Sequence, residues 1–294
     1  MRKWISLGLL VVMALAGFWY FLIKDHDYRI GFQTTAAPGS IYLRTLHWKP
    51  ERTRTLDKVP YRELSQELKL KGNRVKLKWE FTPINDSVTR VEATVQSTED
   101  IFLERLRLLV GQSAQQVKMR EELEVFRTLL EKDKELFDIR VIGEATQPES
   151  LCACIPLENQ MEKKAAGMMQ NIGLLQEYMR QHELQLEGKP RVKVTRWDYS
   201  TNRISFDFCF PVSPQKELPD TPLIKIKEIP SQKAIKALFR GNYIFSHHAW
   251  LQLLNYAQIH DFEVAGEPLE IFIDNPEIGG DSRSWEAEVY LPVK

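Results

Sequence analysis

Two short clusters have residue types that could do chemistry. Cys152 and Cys154 stand two apart in an apolar run, so on a strand their side chains point the same way. A zinc site needs a second Cys or His pair at matching spacing, which the sequence lacks, so small buried thiols are the simpler reading. His247 and His248 are adjacent near a helix start, where neighbours should diverge around the axis rather than chelate as an i, i+4 pair would. There is no glycine-rich dinucleotide fingerprint, Walker loop, nucleophile elbow or H-E-x-x-H. No metal and no cofactor is expected. What remains is an acidic end: residues 261–294 hold nine Asp/Glu against Arg283 and Lys294, a balance that disfavours phosphate ligands and nucleic acid and favours cations.

The elements that must position such groups begin with the whole chain. Its 294 residues suggest more than one core, and 40 Lys+Arg against 40 Asp+Glu with 43% hydrophobic residues excludes a polybasic nucleic-acid binder and a disordered polyelectrolyte. Three cysteines cannot build a disulfide framework, so the chain should fold by burial, with at least one thiol free or paired with another chain. Trp4 to Ile23 carries no charge and is long enough to cross a hydrocarbon core, so residues 1–27 read as a transmembrane anchor with short flanks. Ala14-Leu15-Ala16 could imitate a signal-peptidase site, but cleavage there would leave the apolar stub Gly17–Ile23 on the mature chain. Arg2 and Lys3 precede the helix, and Lys24 is followed by Asp25 and Asp27. The expectation is a single-pass protein with a cytoplasmic N-terminus and its other domains outside.

Residues 28–135 read as a first folded region. Tyr28–Thr34 suggests a strand and Pro38–Trp48 a short helix. Val75, Leu77, Trp79 and Phe81 alternate with polar residues, as do Val91, Ala93 and Val95 beyond an Asn85-Asp86-Ser87 turn, which predicts a half-buried hairpin. After Asp100 the pattern turns helical, with Leu106, Leu109 and Val110 and then Leu123, Phe126, Leu129 and Leu130 on one stripe, interrupted near Gly111. This order, with Trp79-Glu80-Phe81-Thr82-Pro83 through Thr89-Arg90-Val91, resembles the START-like (SRPBCC) helix-grip domains. About 30 residues between the first helix and the hairpin are too few for the full set of central strands, so a lipid-type cavity would be shortened or lost. A degenerate packing or spacer domain is the plainer alternative.

Residues 136–294 contain a duplication. Gly188-Lys189-Pro190 opens a segment ending at Pro211-Val212, and Gly266-Glu267-Pro268 opens one ending at Pro292-Val293, offset by 78 residues at the Gly and 81 at the later Pro. Each copy, about 136–213 and 220–294, predicts two strand runs, a helix and two further strands. The helices carry Met168, Ile172, Leu175 and Met179 in one copy and Trp250, Leu253, Leu254 and Ala257 in the other. The unit is β-β-α-β-β, or β-α-β-β if the first two runs merge. Two units are expected to pair their sheets about a pseudo-two-fold axis, leaving a groove at the junction. The predicted class is α+β throughout.

Gly241-Asn242-Tyr243, Trp250, Gly266-Glu267-Pro268-Leu269-Glu270-Ile271-Phe272, Asp274-Asn275-Pro276 and Glu288-Val289-Tyr290-Leu291-Pro292-Val293 resemble the GyrI-like small-molecule-binding domain. Trp197-Asp198 and Pro211-Val212 extend the match into the first copy. The same domain is the effector-binding part of bacterial AraC-type and MerR-type drug-responsive regulators. Phe272 stands where the family usually has Tyr, and Ala287 where it has Thr, so ligand preference should differ. A membrane helix and a START-like region replace the regulators' helix-turn-helix, so direct transcription control is not expected. The resemblance implies that Glu270 lies in an aromatic-lined pocket with Phe272, Tyr243, Trp250, Trp285 and Tyr290. A carboxylate between apolar walls attracts a delocalised cation, and each aromatic face adds about 0.5–2 kcal/mol. The implied partner is a small aromatic or cationic molecule that is sensed or sequestered. Two alternatives stay open: a hydrolase of small electrophiles with Glu270 as general base, as in some members of the family, and a groove that receives a partner protein. Glu270 on a solvated strand face, with the aromatics as core, is the structural alternative.

Overall fold

The computed structural model describes residues 2–48, 53–70, 72–214 and 219–294, with the side chains of Arg2 and Lys3, on which the orientation argument rests, outside that set. The chain starts with α1 (Arg2–Phe18), which passes into a π-helical turn at Trp19–Ile23. Trp4–Ile23 is long and apolar enough to cross a membrane, or to serve as a signal sequence. The chain resolves into two compact units: Met1–Thr34, Tyr42–Thr82 and Arg90–Leu129 in one, and Thr35–Ile41, Pro83–Thr89 and Leu130–Lys294 in the other.

The N-terminal sheet has five strands: β1 (Tyr28–Thr34), β2 (Arg54–Val59), β3 (Glu63–Leu70), β4 (Asn73–Asn85) and β5 (Val88–Ser97), in the order β1-β5-β4-β3-β2. The expected hairpin is β4 and β5. Beside it stand two strands that the sequence pattern did not announce. β2 is exposed along its whole length, and without a buried face it has no alternation to read. The helices α2 (Pro38–His47), α3 (Ile101–Val110) and α4 (Ala114–Asp133) complete the N-terminal elements, with the expected break at Gly111. The expected stripe does not run through both helices. Leu123, Phe126 and Leu130 of α4 are buried, but Leu106, Leu109 and Val110 of α3 face outward, because Glu104 and Arg105 take the inner side of that helix.

The C-terminal sheet has eight strands: β6 (Phe137–Gln147), β7 (Ser150–Gln160), β8 (Arg191–Asp198), β9 (Arg203–Pro211), β10 (Lys225–Ile229), β11 (Gln232–Gly241), β12 (Leu269–Phe272) and β13 (Glu286–Pro292). Two helices, α5 (Lys164–Gln181) and α6 (His247–Ile259), interrupt the two copies at matching places. The order is β10-β7-β9-β8-β12-β13-β11-β6. It reads the same from either end when the copies are exchanged. β8 and β12 meet antiparallel at the middle, while the opening strand of each copy pairs with the other copy: β6 with β11 and β10 with β7.

The cysteines need a correction. Cys154 is not a free thiol but forms a disulfide with Cys209, and only Cys152 is free and buried. Cys154 and Cys209 are direct partners in the β7–β9 ladder with Cα atoms 4.1 Å apart. Opposed residues of an antiparallel pair share a face, and register over 55 positions cannot be read from local spacing.

Candidate functional site

Glu270 sits in the short strand β12, opposite Val289 of β13 and Val192 of β8, at the seam between the two copies. Period-two alternation turns Glu270 and Phe272 to one face and Leu269 and Ile271 to the other. The carboxylate is wholly buried, at 0% exposure, so it is no solvated strand residue. Its Oε2 forms an ion pair with the ammonium of Lys164, which is itself only 1% exposed. Lys164 Nζ also donates to Ser246 Oγ at 2.8 Å. Ser246 Oγ lies 2.9 Å from the Tyr243 carbonyl and 3.2 Å from Glu270 Oε2, so its single proton goes to one acceptor at a time. Among the described residues the other oxygen, Glu270 Oε1, finds no hydrogen-bond donor, and the indole Nε1 of Trp250 finds no acceptor.

The aromatic residues divide unequally around this pair. Lys164 Nζ lies 4.5 Å from the ring centroid of Trp250 and 5.9 Å from that of Phe272, in cation–π position over both. Tyr243 packs on Phe272 at 4.7 Å and on half-buried Trp285 at 5.4 Å. Its hydroxyl donates to the Glu286 carbonyl at 2.6 Å and accepts from the Asp274 N–H at 3.1 Å, and burial pushes its pKa upward. Two residues before Tyr243, Gly241 closes β11 tightly against Phe137 of β6. Its φ of +146° suits glycine, and a Cβ there would meet the Phe137 Cβ at 2.7 Å.

Tyr290 does not join the group. It opposes Leu269 in the ladder and so lies on the other face of the sheet, in a cluster with Cys152, Leu269 and Ile271, with its hydroxyl on Glu288 at 2.6 Å. That face is also charged: Lys236 bonds Glu288 at 2.7 Å and Lys227 bonds Asp207. Lys193 donates to the Glu267 carbonyl, and burial lowers its pKa to about 8.

His247 and His248 also depart from expectation. Their rings do not diverge but lie 4.4 Å apart, with His248 stacked on Phe137 at 4.7 Å. The chain enters α6 through the tight turn Tyr243–Phe245, so apolar packing decides where the rings go. Burial pushes His247 well below the ordinary imidazole range and His248 down to about 4, so both are neutral near pH 7. Among the described residues no group of three or more His, Cys, Asp or Glu is placed to hold a metal.

Lys164 is the functional residue that sequence reasoning missed. The signal was present: Lys164 lies four positions before Met168, one turn ahead on the apolar stripe of α5. A lysine at the head of a buried stripe must reach a partner. Burial pulls its pKa below the ordinary range, while the Glu270 carboxylate opposes that shift. Together these groups form a buried cluster of one carboxylate, one ammonium and two aromatic faces.

The family profile of the GyrI-like small molecule binding domain matches residues 148–294. No curated protein matches the chain. Among solved structures, the EcmrR C-terminal domain is 19% identical with a TM-score of 0.46, covering 54% of this chain and 98% of that one. SAV2435 bound to tetraphenylphosphonium is 12% identical with a TM-score of 0.32, covering 54% and 93%. A hydrolase from Listeria innocua is 11% identical with a TM-score of 0.33, covering 57% and 98%.

Proposed function

The chain belongs to the GyrI-like small-molecule-binding family, and from that premise we propose that its C-terminal domain receives an apolar organic cation at Glu270, in exchange for the Lys164 ammonium. One observation carries this reading: a cationic nitrogen already rests between the Glu270 carboxylate and the Trp250 face. A ligand with spread charge and apolar rings suits that position better than a lysine. Its charge is more weakly hydrated than a compact ammonium, and the displaced ammonium regains water. The exchange is neutral in charge, so Glu270 is never left alone. Phe272, Tyr243 and Trp285 would line the ligand's apolar part, whereas Tyr290 belongs to the opposite face.

The remaining architecture is read the same way. The two copies are related by a pseudo-two-fold axis at the β8–β12 seam, an inference supported by the reversible strand order. Residues 4–23 anchor the protein in a membrane as a single pass, with the folded regions on the outer side. The Cys154–Cys209 disulfide supports that side, since such bonds persist in oxidising compartments. The strand–helix–sheet–helix order of the N-terminal unit supports a shortened START-like domain. The protein as a whole would sense or sequester its ligand.

The test is thermal stability of the full chain in detergent with three probes: tetraphenylphosphonium, neutral triphenylphosphine oxide and anionic tetraphenylborate. Binding to the native state stabilises it by about 2.7 kcal/mol at a hundredfold excess over Kd. The cation alone should stabilise, and Glu270→Gln should abolish the effect. Equal effects from all three probes, or none from the cation, would refute the reading. Consumption of a reactive electrophile that stops in Glu270→Gln would favour a hydrolase instead.

A further inference from the structure

We propose that the outer face of α3 (Ile101–Val110) lies in the interfacial layer of a lipid bilayer, beside the end of the apolar N-terminal helix. It rests on the reading of Trp4–Ile23 as a membrane span. α3 is inverted relative to a helix of a water-soluble protein. Its buried residues are charged, Glu104 at 4% and Arg105 at 2% exposure, while Phe102 (61%), Leu109 (58%) and Val110 (84%) face outward together with Leu103 and Leu106. In water such a helix would be turned over, since its apolar residues are the ones that gain by leaving solvent. A helix with its apolar side outward suits a surrounding that is itself apolar.

The occupant follows from what α3 is attached to. Arg105 reaches the end of the apolar helix with three hydrogen bonds: Nη1 to the Tyr20 carbonyl at 2.8 Å and to that of Phe21 at 3.1 Å, and Nη2 to that of Lys24 at 2.6 Å. Its Nε pairs with buried Asp27 at 2.8 Å, and Asp27 in turn accepts from the Ser97 N–H. These are the carbonyls that a helix end leaves without partners. Tyr20 Oη returns a bond to the Arg105 carbonyl, and the rings of Phe21 and Phe102 pack at 4.7 Å. These contacts join the end of the apolar helix to α3, whose outward side is apolar except for Arg107. Trp19, Tyr20 and Lys24 stand at the turn between them, residue types that sit at the headgroup level of membranes. A protein partner would also cover an apolar face, but it would not account for continuity with a lipid-length helix.

Nitroxide labels decide the matter in the full chain reconstituted into phosphatidylcholine vesicles. Variants Phe102→Cys, Leu109→Cys and Val110→Cys, each adding one exposed thiol, are compared with Leu10→Cys in the apolar helix and Val125→Cys on the exposed side of α4. Native Cys152 is buried and the other two cysteines are bonded, so labelling is selective. Collision with dissolved oxygen relative to a water-soluble nickel chelate reports depth. The α3 labels should shift toward oxygen, between the deep Leu10 value and the aqueous Val125 value. If Leu10 is deep and the α3 labels match Val125, the span stands and the proposal is overturned. If Leu10 is also aqueous, the anchor itself fails and the proposal fails with it.

Discussion

Replacing Lys164 with methionine keeps an unbranched apolar stem one atom shorter and removes the charge, leaving Glu270 buried with no cation beside it. Both partners are shielded almost completely from solvent, at 1% and 0% exposure, so water cannot screen the change. Removing one member of a buried pair costs about 3–5 kcal/mol, because the remaining charge is uncompensated. Replacing both with apolar residues is neutral or stabilises by about 1–4 kcal/mol. Lys164→Met should therefore lose about 3–5 kcal/mol, whereas Lys164→Met/Glu270→Leu should return to the wild-type value or exceed it. Exposed Lys163→Met is the control and should change stability by less than about 0.5 kcal/mol. Native-state hydrogen exchange of the β12 and α6 amides reads the C-terminal unit directly, without interference from the other unit. The reasoning is refuted if Lys164→Met behaves like Lys163→Met, or if the double variant shows the sum of two penalties.

Two further outcomes follow from the same sheet. Reducing Cys154–Cys209 opens a closure of 55 residues, worth up to about 4 kcal/mol of unfolded-state entropy, so dithiothreitol should lower the urea midpoint and Cys154→Ala/Cys209→Ala should reproduce the loss; an unchanged midpoint would contradict the bond. Lys193 has a folded pKa of about 8 against an ordinary 10.5, so unfolding takes up a proton between those values and stability should rise as pH passes from 8 to 10.5. Lys193→Met should remove that rise from the difference between variant and wild type and be more stable at pH 7, and parallel pH profiles for the two proteins would disprove the assignment.

Much of this architecture could be read from residue order alone. Alternation in β4, β5 and β13 exposes a buried face directly, and the G-x-P turns mark the duplication because a turn constrains residue type wherever it occurs. Glu270, Phe272, Tyr243 and Trp250 lie near one another around Lys164, at positions tied to those turns. What escaped the reading depended on tertiary choice. Lys164 is drawn inward by a carboxylate 106 positions away. α3 carries both apolar and charged sides, and periodicity alone cannot say which side meets protein. Tyr290 opposes Leu269 rather than Glu270, so the two-residue period of its own strand sets it on the far side of the sheet from the aromatic group that the family resemblance implies.

The exchange of opening strands between the copies sets a timetable for folding. Gln147 of β6 waits for Gln232 and Phe137 for Gly241, 85 and 104 positions later. At ribosomal speeds of about 5–20 residues per second that is a delay of roughly 5–20 s during which β6 has no permanent neighbour. The first copy therefore emerges as an incomplete sheet whose missing neighbours are supplied by the second copy. A chain stopped between the copies would leave β7 without β10, β8 without β12 and β6 with no partner strand. The half-domain that sequence duplication suggests as an ancestral module is thus, in this protein, no longer a separable piece.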